Sequence, residues 1–401
     1  MNPASWSLHQ TDAGMDDGRT LSYFDFAPTN QTPPFLELHH GAAKTHPPRG
    51  ERVLESPSQL RWNPTLSQWT AYSPARMSRA LLPARATCPL CPGGLELPLA
   101  FQIALFENRS PAFSFVPDAE LLPAPDAAFD AVVPARGRAD IVVYSGQHEG
   151  RFADLPLVNI YALIEAWRAR TRQRLALPEV ECVCIFENKE REAGMTLDHP
   201  HGQIYSYPFL PPVVEAQWQQ TLAFWENGDN LWARIIERER RDGTRVLAET
   251  QGFLAAVPFY ARYPYEVHLW AKRDGVSSLL EMTPQERREL AGLMRLVTRK
   301  YENLWGERAK YRFPTMMNVH QLSKPAGAER FRFHIEWLPL QRTPEALKYR
   351  AAVESGTGTF LNDALPETQA GELRATEPRD VELPDAIFGD FSASPTEKAF
   401  P

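Results

Sequence analysis

The 401-residue chain contains no long apolar run, and its first residues, MNPASWSLHQTDAG, carry neither a basic start nor an apolar stretch. A membrane span needs about 18 consecutive apolar residues, so neither a span nor a secretory leader is expected, and the chain reads as cytoplasmic. An excess of positive charge is also missing: 43 lysines and arginines stand against 50 acidic residues, a formal charge of -7. Affinity for a nucleic-acid backbone needs a basic surface field, so nucleic acid is excluded as a general partner. Any phosphate must then be held by locally placed cations. Cysteine is scarce, with 4 in the chain, too few for a disulfide framework at this length. Two of them stand as Cys88-Pro-Leu-Cys91, a spacing suited to a metal.

What is present is a hydrophobic content of 43%, enough for two or three domain cores. The 36 prolines are spread along the chain and punctuate loops. Residues 1–60, rich in Pro, His, Gly and Thr, show only short strand-like pieces, LSYFDF (21–26) and FLELHH (35–40), and read as an N-terminal arm or cap. Beyond them, one order of elements occurs twice. A strand at ADIVVYSG (139–146) precedes a helix with Leu157, Ile160, Leu163, Ile164 and Trp167 on its apolar face, and strands at 179–188 and 201–207 follow. In the second round, GFLAAVPFY and YEVHLWAK precede a helix opening at Thr283-Pro284-Gln285-Glu286, which has capping-box residues and proline at the first helical position. That helix carries Leu290, Leu293, Met294, Val297 and Tyr301, and strands at 311–320 and 330–340 complete the round. Each round ends on a histidine-bearing strand, with His201 in the first and His334 in the second, so an internal duplication is predicted. The fold class is α+β: two tandem halves over 61–212 and 213–345, each an antiparallel sheet with helices packed on it, and a final segment over 346–401.

The densest chemical signal is His199-Pro200-His201-Gly202-Gln203. Side chains two apart on a strand share a face, so His199, His201 and Gln203 are predicted to project toward one site. Glycine between the last two is expected to let a bulky anion approach the backbone. A surface strand with two solvated histidines would explain neither the proline nor the glycine.

The run HPHGQ, with FENK (186–189) and Gly194 before it, resembles the galactose-1-phosphate uridylyltransferases, a branch of the histidine-triad superfamily. The likeness extends in matching order over roughly 17–365, through DGRTLSYFD, RWNPTLSQWTAYSPAR, CPLCPG and RFHIEWLPL. It implies two histidine-triad-like halves and a nucleotidyltransferase passing UMP from UDP-glucose to galactose 1-phosphate, with glucose 1-phosphate and UDP-galactose as products. His201 would be the nucleophile, forming a covalent uridylyl intermediate. The superfamily's hydrolases carry histidine where this chain has Gln203. A glutamine amide donates hydrogen bonds to phosphate oxygens but relays no proton, and a sugar 1-phosphate that leaves already ionised needs none. Gln203 therefore favours transfer over hydrolysis.

The resemblance also assigns Arg76, Arg79, Asn108, Asn188 and Thr196 to the nucleotide and phosphate pocket, while Arg109 departs from the acidic residue of many relatives. It implies a homodimer with shared active sites, in which Lys348, Tyr349 and Glu354 would reach the hexose. Cys88, Cys91, His148 and His199 match the zinc ligands of members that carry the metal. A second metal, iron or zinc, would use His320, His334 and Glu336, with Gln217 at an upstream glutamate position and Glu215 nearby. Cys182 and Cys184 are assigned to packing, and His9, His39, His40, His46 and His268 receive no role. Two other readings stay open: an adenylyltransferase or dinucleotide phosphorylase on the same scaffold, and a nucleotide-binding or zinc-stabilised protein without catalysis.

Overall fold

The computed structural model describes residues 6–15, 17–42, 58–74, 88–114, 124–126, 129–384 and 392–393. Within them the first half of the chain forms β1 (Trp6–Gly14), β2 (Thr20–Pro28), α1 (Leu36–Ala42), β3 (Gln59–Asn63), β4 (Gln68–Tyr72), β5 (Ile103–Glu107), β6 (Val132–Pro134), β7 (Arg138–Val143), α2 (Leu157–Leu175), β8 (Cys182–Lys189) and β9 (His201–Tyr207). The second half forms α3 (Pro212–Glu226), α4 (Leu231–Asp242), β10 (Val246–Glu249), β11 (Phe253–Ala256), β12 (Val267–Ala271), α5 (Pro284–Asn303), β13 (Thr315–His320) and β14 (His334–Pro339). Two short helices, α6 (Ala352–Thr357) and α7 (Pro366–Ala375), and a two-residue strand, β15 (Ser392–Ala393), follow.

The long helices form where their sequences direct. At α5 the Thr283 hydroxyl accepts the Glu286 amide at 3.1 Å and the Glu286 carboxylate accepts the Thr283 amide at 2.8 Å, a reciprocal cap ahead of Pro284. The expected stripe of Leu290, Leu293, Met294, Val297 and Tyr301 is buried, as are Ile160, Leu163, Ile164 and Trp167 of α2. Both helices pack in one core with the sheet residues that face them, among them Ile185, Ile204, Phe333, Ile335 and Trp337.

That sheet has twelve strands in the order β10-β11-β12-β14-β13-β8-β9-β7-β5-β2-β1-β15, antiparallel except where β15 meets β1. The order reads the same outward from its centre. Strand β8 is followed by β9, β7 and β5, and β13 by β14, β12 and β11, so each half has one topology and the halves join where β13 pairs with β8. The two-half α+β architecture is therefore present, with both halves in one continuous sheet. A smaller sheet, β4-β3-β6, shares no strand pairing with it and packs on it through Leu60, which clusters with Ala139 and Tyr205.

Register assigns the faces, because directly paired residues point to the same side. Gln203 pairs with Phe186, Phe186 with Asn318, Asn318 with Glu336, and Glu336 with His268. One face thus carries both histidine-bearing sites, while α2 and α5 cover the other. Over the second half the histidine face has a lid: Val214 and Trp218 of α3 and Trp232 and Ile236 of α4 pack on Leu254, Trp270 and Phe331.

Three differences from the sequence expectations follow. FLELHH is helical in α1, because buried His39 turns inward to Asp25 (2.5 Å) and stacks on Tyr23, which an extended segment would not permit. The segment read as an arm contributes β1 and β2 to the main sheet. Helices α3 and α4 were not anticipated, although Asn230 and Gly243 cap α4 at its two ends.

Candidate active site

The site assembles at the start of β9. His199 is fully buried; its Nε2 meets the Ser145 carbonyl at 2.7 Å, so Nδ1 turns toward the cysteines, 3.5 Å from Cys91 Sγ and 3.9 Å from Cys88 Sγ. His148 Nδ1 approaches Cys91 Sγ at 3.3 Å. The ligand atoms of Cys88, Cys91, His148 and His199 lie within 4.8 Å of one another, so the four predicted ligands converge. The turn that presents the thiols depends on Gly94, where a Cβ would lie 2.7 Å from the carbonyl oxygens of both Cys88 and Cys91.

Two residues on, the half-buried His201 places Nδ1 2.8 Å from the His199 carbonyl. A carbonyl accepts only, so Nδ1 carries the proton and Nε2 keeps its lone pair. Among the described residues Nε2 has no partner. Burial lowers the pKa of the His201 imidazole and outweighs the opposing pull of the His199 carbonyl, so the ring is neutral near pH 7. The chain thus links its Cys–His cluster, which could hold a metal, to a free imidazole nitrogen through one peptide carbonyl.

Gln203 lies one strand step further on the same face, and Asn188 two residues beyond Phe186 on the neighbouring strand. Gly202 does not do what its neighbours suggested. Its missing Cβ points to the opposite face, where it would lie 2.3 Å from the Tyr144 hydroxyl. The space is therefore taken by a tyrosine from beneath and not by an anion from above, a consequence of the two-residue alternation of a strand.

The remaining candidates divide. Buried Asn108 follows β5, with its side-chain oxygen on the Ser110 amide at 3.0 Å, and Thr196 lies in the loop before β9. Arg109 bonds Glu96 at 2.8 Å, which also holds Arg19 at 2.8 Å. Arg76 and Arg79 lie outside the described residues. Lys348 and Glu354 pair with each other at 2.8 Å and Glu354 also accepts the Ala351 amide, which pulls its carboxyl down to about 2. Tyr349 beside them is 57% exposed. Cys182 is core and its sulfur lies 3.7 Å from that of Cys184.

In the second half, His334 Nδ1 bonds the Arg332 carbonyl at 2.8 Å, the same local geometry as His201. Its Nε2, however, lies 3.2 Å from the Gln217 amide nitrogen and 3.6 Å from Glu336. Gln217 also reaches Glu336 at 3.2 Å, whereas Glu215 bonds Gln219 on the outside of α3. His320, His334 and Glu336 form one ligand-capable group, and Glu266, His268 and Glu336 form another that shares the carboxylate. His268, given no role from sequence, therefore belongs to this cluster, at 2.7 Å from Glu266 and 3.8 Å from Glu336. Arg262 completes it with a 2.7 Å contact to Glu336. The signal was in the alternation Glu266-x-His268, but only the pairing of β12 with β14 brings it to Glu336.

Comparison with known proteins agrees with this layout. Residues 44–211 match the family model described as galactose-1-phosphate uridyl transferase, N-terminal domain, and residues 216–378 match the C-terminal domain. A galactose-1-phosphate uridylyltransferase from Thermotoga maritima is 38% identical over 80% of this chain and 98% of its own. A solved uridylyltransferase structure superposes with a TM-score of 0.70 at 29% identity, covering 79% of this chain and 97% of that one. An ADP-glucose phosphorylase from Arabidopsis thaliana superposes with a TM-score of 0.60 over 81% of this chain and 99% of that one; at 22% identity it shares the fold alone.

Proposed function

The chain belongs to the galactose-1-phosphate uridyl transferase family, and from that premise we propose that it moves a uridylyl group from UDP-glucose to galactose 1-phosphate through a covalent intermediate on His201. The observation that carries the reading is the His201 ring itself: neutral, fixed at Nδ1 by the His199 carbonyl, and free at Nε2. In the first step the Nε2 lone pair forms a bond to the α-phosphorus of UDP-glucose, and the phosphorus–oxygen bond to glucose 1-phosphate breaks. In the second, a phosphate oxygen of galactose 1-phosphate attacks the same phosphorus and Nε2 leaves, giving UDP-galactose. Both sugar phosphates are ionised at neutral pH, so positioning and charge neutralisation dominate over proton transfer. Gln203 serves this by donating its amide to phosphate oxygens without supplying a proton relay for water. Asn108, Asn188, Thr196, Arg76 and Arg79 are assigned to the nucleotide and its phosphates.

Cys88, Cys91, His148 and His199 fit a zinc ion, and the sulfur–nitrogen separations of 3.3 to 3.9 Å suit the edges of a tetrahedron with bonds of about 2.0 to 2.3 Å. With four protein ligands the metal would supply rigidity to the start of β9, holding the carbonyl that orients His201. The second cluster fits a divalent ion, iron or zinc, through His320, His334 and Glu336, with His268 adjacent. We assign the hexose contacts to Lys348, Tyr349 and Glu354 of a second copy in a homodimer, which the exposure of Tyr349 favours. Charged substrates of this kind do not cross membranes unaided, and the reaction is read as cytoplasmic.

The test is isotope exchange. Incubated with UDP-glucose and labelled glucose 1-phosphate, and with no second sugar phosphate, the protein is expected to move label into UDP-glucose, as a two-step transfer requires. Exchange with ADP-glucose but not UDP-glucose would replace this reading with an adenylyl-transferring one, and absence of both would remove it.

A further inference from the structure

Tyr144 lies on the helix-covered face of the sheet, directly behind the nucleophile, and touches the catalytic strand on both sides of it. Its backbone amide donates to the Pro200 carbonyl at 3.2 Å, one residue before His201. Its hydroxyl occupies the space above the Gly202 Cα, one residue after, where a Cβ would come within 2.3 Å of the oxygen and 3.2 Å of the ring carbon bearing it. Phenylalanine at 144 would leave the hydroxyl's volume empty, and a side chain at 202 would meet the tyrosine ring.

The tyrosine is itself held from three directions. Asn159 of α2 donates to its carbonyl at 2.9 Å, Phe152 packs edge-on at 5.7 Å, and the hydroxyl donates to Glu187 Oε2 at 3.2 Å. Glu187 sits on β8 and lines a small cavity of about 20 Å³ between the two halves, with Lys189, Thr298, Tyr301, Glu302 and Trp337 among its walls. Lys189 is engaged by Glu302 at 2.7 Å and by the Phe313 carbonyl at 3.0 Å. Among the described residues, Tyr144 is the hydrogen-bond partner of the Glu187 carboxylate. A carboxylate drawn out of water and spent on one tyrosine hydroxyl is costly unless that bond is needed.

We propose that Tyr144, aimed by Glu187, is a positioning residue for uridylyl transfer: it fixes the strand at Pro200 and Gly202 so that the His199 carbonyl and the His201 ring between them keep their mutual geometry. The inference rests on the uridylyl-transfer reading of His201. Neither side chain touches substrate; both act through the backbone that carries the nucleophile. The energetic logic is that of a near-attack arrangement, in which a displacement well below the size of an atom at the reacting nitrogen changes the rate while substrate binding stays the same. Burial pushes the Glu187 carboxyl up to about 7, against the opposing pull of Lys189 and the Tyr144 hydroxyl and with help from Glu302. It is therefore ionised above that pH and neutral below it. A charged acceptor holds the hydroxyl more firmly than a neutral one, so the brace slackens as pH falls through about 7.

The test measures single-turnover uridylylation with UDP-glucose, together with steady-state kcat and KM. Wild-type protein that forms the adduct establishes the underlying reading, and the variants then test this inference separately. Tyr144→Phe is expected to lower the uridylylation rate and kcat by roughly 10- to 100-fold with KM for UDP-glucose unchanged within about 2-fold. Glu187→Ala should fall as far, and the double variant no further, since the two act as one unit. Glu187→Gln, whose amide oxygen still accepts the hydroxyl, should recover most of the rate and lose the inflection near pH 7. The substitutions are nearly isosteric apart from Glu187→Ala, so Tyr144→Phe and Glu187→Gln decide the matter even where Glu187→Ala misfolds. A wild-type rate in Tyr144→Phe, a change confined to KM, additive losses in the double variant, or an unaltered pH profile in Glu187→Gln would each overturn the proposal.

Discussion

His201 and His334 occupy equivalent positions in the two halves, each with Nδ1 bonded to the carbonyl two residues before it at 2.8 Å, yet what packs on the two rings differs. Among the described residues no group bonds His201 Nε2, whereas over His334 the helices α3 and α4 close the histidine face of the sheet. Trp232 lies tilted at 4.8 Å from the His334 ring, His320 lies parallel at 4.6 Å, and the Gln217 amide covers Nε2. The comparison separates two requirements that one histidine alone would confound. Fixing a tautomer is a property of the strand and is duplicated with it, while leaving a lone pair free is a property of what packs on the strand.

The comparison breaks most severely if the roles of the two rings are not distinct. His201→Gly is expected to abolish the covalent intermediate and reduce transfer by at least roughly 10⁴-fold, measured as UDP-galactose formed per enzyme, while His334→Gln should keep transfer within about 2-fold. A somewhat smaller effect is expected at the first half's Cys–His cluster, the proposed metal site. Cys91→Ser should lower metal content by one equivalent per chain and slow uridylylation roughly 10- to 100-fold, read by elemental analysis beside the single-turnover rate. Gln203→His sharpens the comparison with the hydrolytic branch. It should leave adduct formation largely intact but speed its decay to free UMP by about 10-fold or more, followed by chromatography without a second sugar phosphate. The smallest change in activity belongs to the second cluster, where the cost is structural. His334→Ala leaves the Gln217 amide without its imidazole partner and should cost about 1–3 kcal/mol of stability, seen as a lowered Tm with adduct formation retained.

Much of this was readable before any coordinates. Alternation and helical periodicity located β9, α2 and α5 and exposed the repeat, because those segments obey the two-residue and 3.6-residue periods without interruption. The convergence of Cys88, Cys91, His148 and His199 also followed, through the resemblance and the CxxC spacing. What escaped depended on partners distant in the chain. His268 is one unremarkable residue in an apolar strand until β12 lies against β14 and brings it to Glu336. Gly202 looked like room for an anion until the alternation of its own strand turned it toward Tyr144. The lid of α3 and α4, which makes the second half's histidine inert as a nucleophile in this account, comes from a stretch with caps and an amphipathic pattern whose partner surface is visible only in the folded sheet. Propensity locates elements; sheet register and the covering layer decide which of two similar histidines faces a substrate.

The most direct measurement is the intact mass of the protein after exposure to UDP-glucose alone, with peptide mapping of the product. A gain of one uridylyl group located on His201, retained in His334→Gln and lost in His201→Gly, is the outcome predicted here. A group located on His334, or a wild-type mass that does not change, would contradict the division of labour between the two halves.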